Sequence, residues 1–257
     1  MSSPSTIISL AGKTALVTGG NTGIGRAIAL ELARAGADVA ITSFTNQSGE
    51  TSAEIQALGR RTAHLRLDAT KSDEVNQVVA QAAEALGGRI DILVNNAGHL
   101  IARVHVAEMS DAHWHQVLDV NLSSAFYCSR AVLPFMNGGW GRIVNMSSLA
   151  GRNGGGPGAV AYGAAKAALF GLTRGLAKEL APQGINVTAV APGLILGTPF
   201  HDTFSTEEGK RATIAGIPLK RGGTPEEVAG TVLYLVSDLA GFVTGEVIEI
   251  NGGAWFV

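Results

Sequence analysis

A short β-branched run at residues 13–18 (KTALVT) passes straight into Thr18-Gly19-Gly20-Asn21-Thr22-Gly23-Ile24-Gly25, and a helical pattern over 24–35 then stops at Gly36. No other stretch constrains the fold as much. The run reads as a buried strand, the glycines as a tight turn, and Gly36 as the residue just past a helix end. A plain strand-to-helix turn rarely needs four glycines in seven positions. Glycines let the backbone come close to a ligand, and the first turn of a helix offers free N–H groups at a positive dipole end. Strand, glycine turn and helix is the context that holds a dinucleotide pyrophosphate, here with the spacing Gly-x-x-x-Gly-x-Gly. Gly19, Asn21, Thr22, Gly23, Ile24 and Gly25 are therefore the expected phosphate-side contacts.

The alternation continues along the chain. Residues 38–42, 63–67, 90–94, 143–146, 186–191 and 246–250 read as strands, and 49–58, 72–86, 111–135, 159–181 and 224–237 as helices. Thr224-Pro225-Glu226-Glu227 is a capping box with proline in the first helical position. The run IDILV (90–94), apolar except for Asp91, suits a parallel sheet covered on both faces. This order predicts one α/β domain over 1–257, a Rossmann fold with a doubly wound, seven-stranded parallel sheet and helices on both faces. Residues 152–158 predict a loop that is not helical, and 194–218, with weak periodicity, a mobile substrate lid. Ligands of such sheets lie beyond the carboxyl ends of the strands. The glycine turn, Asn95 to Gly98, Ser148 and Pro192-Gly193 all follow strand ends.

The end of the second strand bears on the cofactor. An acid there would bind a ribose 2′-hydroxyl and repel a 2′-phosphate. Ser43-Phe44-Thr45-Asn46 stands there instead, with no acid before Glu50, which favours NADP(H) over NAD(H). Arg26 either contributes to the 2′-phosphate or is a solvated helix residue. Asp68 either meets adenine or caps the following helix.

Composition excludes several classes. A net charge of −2 gives no reason to expect nucleic acid or an anionic membrane surface. Cys128 is the only cysteine, so no intrachain disulfide forms and a cytoplasmic setting is expected. Residues 1–10 carry no basic n-region or apolar h-region, and no apolar run approaches the ~18 residues of a membrane span. His113 and His115, two apart on a helix, do not face each other, and no metal site is expected.

Within the Ala-rich helix, Tyr162 and Lys166 lie four apart and project side by side. A cation beside a phenol favours the phenolate, so Lys166 is expected to lower the pKa of Tyr162 from its usual value of roughly 10 and make it a general acid/base. Taken together, TGGNTGIG at 18–25, DAT at 68–70, NNAG at 95–98, Asn121, SS at 147–148, YGAAK at 162–166 and PG at 192–193 resemble the short-chain dehydrogenase/reductase family from about Gly12 to Gly253. The resemblance implies an NAD(P)(H)-dependent oxidoreductase acting on CH–OH groups. Tyr162 is then the acid/base, Lys166 its partner and a ligand of the nicotinamide ribose, and Ser148 the group that polarises the substrate oxygen. Asn121 would hold a water in a proton relay. The implied cofactor contacts extend to Ser43, Asp68, Ala69, Asn95, Ala97, Gly98, Pro192, Gly193, Ile195 and Thr198. A homotetramer is implied, with the helix around Asn121 and the Tyr162 helix at the interface. Two departures concern the substrate side. The spacing from Ser148 to Tyr162 is one residue longer than in many relatives, and the threonine after Pro192-Gly193 comes late, as Thr198.

His99, Arg152 and Asn153 are the substrate candidates, with Arg103 and His201 also near the expected mouth. Arg152 or a histidine there would meet a carboxylate or hydroxyls. The glycine-rich loop at 154–158 is similar to that of reductases of uronate-derived keto acids, so a small polar, sugar-derived keto compound is the expected substrate. The alternative is 3-oxoacyl-acyl-carrier-protein reduction, which needs a basic docking surface. Arg142 and Lys178 are the only candidates for it, and they form no cluster. A dinucleotide-binding protein without activity is the remote third reading, disfavoured because Tyr162, Lys166 and Ser148 are all present.

Overall fold

The computed structural model describes residues 8–45 and 48–257. Its strands are β1 (Thr14–Val17), β2 (Asp38–Ser43), β3 (Thr62–Arg66), β4 (Ile92–Asn95), β5 (Gly141–Met146), β6 (Ile185–Pro192) and β7 (Val247–Ile250). They form one parallel sheet in the order β3-β2-β1-β4-β5-β6-β7. Strand order reverses between β1 and β4, which opens a crevice at their carboxyl ends.

The helices are α1 (Gly23–Arg34), α2 (Glu50–Ala57), α3 (Ser72–Ala85), α4 (Asp111–Leu118), α5 (Ser124–Val132), α6 (Ala150–Asn153), α7 (Val160–Leu180), α8 (Pro199–Phe204), α9 (Glu207–Gly216) and α10 (Pro225–Val236). Successive strand residues face opposite layers. Ala15, Val17, Val39, Ile41, Ile92 and Val94 pack with Ile28 and Leu32 of α1 and Val228 and Val232 of α10. Leu16, Ala40, Leu93 and Ile143 pack on the other face with Val75 and Val79 of α3, Cys128 and Val132 of α5, and Ala177 and Leu180 of α7. Gly36, at φ +102°, ends α1 as expected. Thr224 and Glu227 form the predicted capping box on α10.

Three expectations are corrected. The helix predicted over 111–135 is interrupted between α4 and α5 by a π-turn at Asp119–Ser123. Asn121 sits in that turn and is buried. A π-turn inserts one extra residue per turn and re-aims its side chains, as often happens at functional sites. The loop predicted from 152 begins as α6, so Arg152 and Asn153 are helical, and Gly154 ends the turn at φ +84°. The span predicted as an aperiodic lid carries α8 and α9, capped by Thr198 and Thr206 side chains that accept from His201 N and Gly209 N. Both helices are short and mostly polar, so neither gives a strong apolar period. Among the described residues, no helix is long and apolar enough to cross a membrane.

Candidate active site

A cavity of about 1050 Å³ opens at the switch point, at the upper end of the size range of ligand pockets. The glycine turn forms its inner wall. Gly19 and Gly23 have φ of +63° and +52°, a region L side chains rarely adopt. A Cβ on Gly25 would collide with the Gly19 carbonyl and the Asn96 amide. Thr22, the N-cap of α1, makes no side-chain cap bond, and no acid stands in the first helical turn. The N-terminal amides and the dipole are thereby left for an anion. Gly19, Asn21, Thr22, Gly23, Ile24, Gly25, Ser43, Ala97, Gly98, Pro192, Gly193, Ile195 and Thr198 all line the cavity. The chemistry of this cradle fits a dinucleotide.

Asn96 was missed by the sequence reading. Its Nδ2 donates to Thr18 O (2.9 Å) and Gly19 O (3.1 Å), and Thr18 Oγ1 accepts from Asn96 N and Ala97 N, both at 3.0 Å. The end of β4 is thus stitched to the glycine turn. The signal was the second asparagine of NNAG, which nothing in the sequence distinguished from the first.

Three cofactor expectations do not match the geometry. Asn95 lies under the cavity, where its Nδ2 donates to Asn145 Oδ1 (2.9 Å) and Ser129 Oγ (3.0 Å). Its side chain joins β4 to β5 and α5 instead of facing ligand, because alternate residues of a strand face opposite sides. Asp68 turns its carboxylate onto Thr70, accepting from N at 3.0 Å and Oγ1 at 2.7 Å. It does not cap α3, whose N-cap is Lys71, and neither it nor Ala69 lines the cavity. Arg26 is paired with Glu54 through Nη2 at 2.6 Å and 2.8 Å, in a half-exposed ion pair on the helix surface. Asn46 lies outside the described residues.

The candidate acid/base pair is positioned by α7 and the end of β5. Tyr162 lies within the cavity lining, and Lys166 Nζ stands 5.6 Å from the Tyr162 ring centroid. Lys166 is 4% exposed, and Nζ donates to Met146 O at 2.7 Å. Ser147 Oγ donates to Lys166 O at 2.6 Å, which ties the two elements together. Ser148 accepts from Ala150 N at 3.1 Å and bonds the Tyr162 phenol. The expected lowering of the Tyr162 pKa is reversed. Burial pushes the phenol up to about 12, against a smaller downward pull from Ser148. Burial also pushes Lys166 down to about 7. Removing both groups from water penalises each charged form by more than their mutual attraction restores.

Asn121 Nδ2 donates to His99 O (2.7 Å) and Val117 O (2.9 Å), and its Oδ1 accepts from His99 N (3.1 Å). A Cβ on Gly98 would stand 2.8 Å from Asn121 Oδ1 and 3.0 Å from Lys166 Nζ. Only a glycine lets these two groups approach each other across the end of β4.

On the substrate side, His99 and Asn153 line the cavity and Arg152 does not. Arg152 Nε donates to Glu249 Oε1 at 2.8 Å, and its guanidinium lies 4.1 Å from the centre of the Phe170 ring. The helical turn of α6 points it at β7 and α7, away from the substrate space. His99 Nδ1 accepts from Ile101 N at 2.8 Å, which makes Nε2 the protonated nitrogen of the neutral ring. Phe200 and Phe204 of α8, which the sequence reading passed over, build an aromatic wall. Phe200 lies 5.7 Å from Tyr162 and 5.2 Å from Phe204, and Phe204 lies 5.2 Å from His99, all between ring centroids. The two lengthened spacings are absorbed locally, by α6 with its left-handed Gly154 and by Gly197, at φ +68°, ahead of the Thr198 cap. Burial pushes the Cys128 thiol up to about 12, so it is a packed residue and not a nucleophile.

A family model described as enoyl-(acyl carrier protein) reductase matches residues 19–254. The chain is 44% identical over 249 residues to the 3-oxoacyl-acyl-carrier-protein reductase of Aquifex aeolicus, covering 96% of this chain and 98% of that one. The solved structure of a dehydrogenase/reductase from Sinorhizobium meliloti 1021 is 38% identical with a TM-score of 0.90, covering 96% of this chain and 97% of that one. An NADH-dependent reductase responsible for alginate metabolism is 32% identical with a TM-score of 0.87, covering 96% and 99%.

Proposed function

The chain belongs to the short-chain dehydrogenase/reductase family and is an NAD(P)-dependent oxidoreductase of carbonyl and alcohol groups, and on that premise we propose that it reduces a compact, sugar-derived keto acid with NADP(H). The observation that carries the substrate reading is the lining of the cavity. It includes Arg103 and Lys166, the rings of His99 and His201, and Lys210, which is paired with Glu207 and Asp202, and among the described residues no Asp or Glu lines it. Such a space favours a dinucleotide phosphate at one end and an anionic substrate at the other.

The bound nicotinamide supplies the hydride. Tyr162, held protonated at neutral pH by a pKa of about 12, gives its proton to the carbonyl oxygen. Ser148, bonded to the same phenol, orients that oxygen. Lys166 stands beside the phenolate that results, and its charge favours that form. Asn121, fixed on both sides by His99, is placed to hold the water through which the proton is restored.

NADP(H) is favoured because no acid ends β2 among the described residues. The alginate-metabolism reductase is NADH-dependent, which makes NAD(H) the alternative. The expected assembly is a cytoplasmic homotetramer, and Phe126 of α5 (41% exposed) and Val160 of α7 (48%) offer the apolar surface.

The second reading, 3-oxoacyl-acyl-carrier-protein reduction, is favoured by the name of the Aquifex relative. Arg142 cannot help it to dock an acidic carrier. It is 5% exposed and stacked 4.1 Å from the Trp140 ring centre. Initial rates with NADPH and NADH across keto-uronates, simple ketones and acetoacetyl thioesters decide between the two. Turnover of the thioester alone would refute the keto-acid reading.

A further inference from the structure

Arg103 lies beyond the end of β4, exposed at the outer end of the cavity. Its guanidinium donates only to main-chain carbonyls. Nη1 reaches Pro157 O at 3.0 Å, and Nε and Nη2 reach Phe204 O at 3.4 Å. Pro157 belongs to the loop between α6 and α7. Phe204 is the last residue of α8, where helix carbonyls have no partner within the helix. The next residue joins in, with Val104 N donating to Gly158 O at 3.0 Å. Gly158 permits this approach: its φ is +74°, and a Cβ there would stand 2.9 Å from Arg103 Cβ. One side chain therefore ties three separately folded segments together over the substrate end.

Its charge is also unlike that of the other cations lining the cavity. Lys166 is buried against the Met146 carbonyl. Lys210 is paired with Glu207 at 2.9 Å and Asp202 at 3.5 Å. Arg103 has no carboxylate partner among the described residues. Of the five N–H groups of a guanidinium, three are engaged here, which leaves a donor on each terminal nitrogen. Between the Tyr162 phenol and this cation the wall is the run of Phe200 and Phe204 rings, and Phe204 accepts from Arg103 through its carbonyl.

We propose that Arg103 is a specificity-determining residue. It receives the negatively charged group of the substrate, and its bonds to the Pro157 and Phe204 carbonyls hold the guanidinium in place to do so. This deepens the keto-acid reading and rests on it.

The test compares a sugar-derived keto acid with its methyl ester, at saturating NADPH, in the wild type, Arg103→Met and Arg103→Lys. The wild type is expected to prefer the acid. In Arg103→Met the KM for the acid rises by about tenfold or more, the ester changes little, and NADPH affinity read by fluorescence is unchanged. Arg103→Lys recovers part of the preference, because it keeps the charge and loses the fork. Raising the ionic strength lowers kcat/KM for the acid in the wild type and not in Arg103→Met. Loss of activity on acid and ester alike in Arg103→Met, or retention of the acid preference, overturns the role of Arg103 and leaves the keto-acid reading standing. A wild type indifferent to the charge of the substrate overturns both. If Arg103→Met does not fold, the acid-to-ester ratio in Arg103→Gln decides, and a ratio equal to that of the wild type overturns the role of Arg103.

Discussion

Replacing Lys166 with Met should abolish turnover and stabilise the fold, and the stabilisation should depend on pH. Lys166 is 4% exposed, has one hydrogen bond from Nζ, to Met146 O, and is pushed by burial from 10.5 down to about 7. In the unfolded chain the amine keeps its ordinary value. Between pH 7 and 10.5 the unfolded chain thus binds a proton that the folded chain has given up, so stability rises with pH across that window and is lost as pH falls towards 7. At ~1.4 kcal/mol per pH unit the cost is about 4 kcal/mol at pH 7 and about 2 kcal/mol at pH 9. Met has similar volume and no charge. It leaves the Met146 carbonyl without its donor, a loss of about 1 kcal/mol. The variant should therefore be more stable by about 3 kcal/mol at pH 7 and about 1 kcal/mol at pH 9. For a chain of this length, 3 kcal/mol moves the Tm by roughly 6–12 °C. The assay is thermal melting of both proteins at pH 7 and pH 9, at equal protein concentration and without nucleotide. Both values lie below 10, where Tyr162 would begin to titrate in the unfolded chain. A Tm gap that is the same at the two pH values, or a variant less stable than the wild type at pH 7, would show that the ammonium is not desolvated in the fold.

Tyr162→Phe should cost at least ~10²-fold in kcat while nicotinamide affinity, read by fluorescence titration, stays within about twofold. Gly98→Ala places a methyl 2.8 Å from Asn121 Oδ1 and 3.0 Å from Lys166 Nζ, so kcat should fall by about 10-fold to 100-fold with a stability loss of about 1–3 kcal/mol; normal kinetics would show that Asn121 and Lys166 tolerate separation. Gly25→Ala, whose Cβ would strike the Gly19 carbonyl, should raise the dissociation constant of both nicotinamide dinucleotides by at least about tenfold; unaltered binding would remove the turn from the phosphate site. Thr224→Ala breaks the capping box on α10 and should cost about 1 kcal/mol in a denaturant melt without altering KM.

The layered sheet, the glycine turn and the Tyr162–Lys166 pair were legible along the chain, because each rests on local rules. Period-two and period-3.6 patterning sets which face of an element is apolar, and a spacing of four fixes which side chains share a helix face. Helix caps are equally local, which is why Gly36 and Thr224 lie where the sequence puts them. Short polar helices such as α8 and α9 and the π-turn at Asn121 leave no such periodic trace, because their geometry is imposed by what they pack against.

Only the tertiary structure decided which of the candidate polar residues face the cavity. Asn95 and Asn96 are neighbours in one motif, yet one lies under the sheet end and the other holds the glycine turn. Arg152 was the substrate candidate and Arg103 only a residue near the expected mouth, yet the α6 turn gave the first to Glu249 and left the second at the mouth. The protonation of Tyr162 was beyond the sequence for the same reason. Spacing shows that a cation is near, but the sign of a pKa shift depends on how much water the fold removes from both groups, and that is a property of the packed molecule alone.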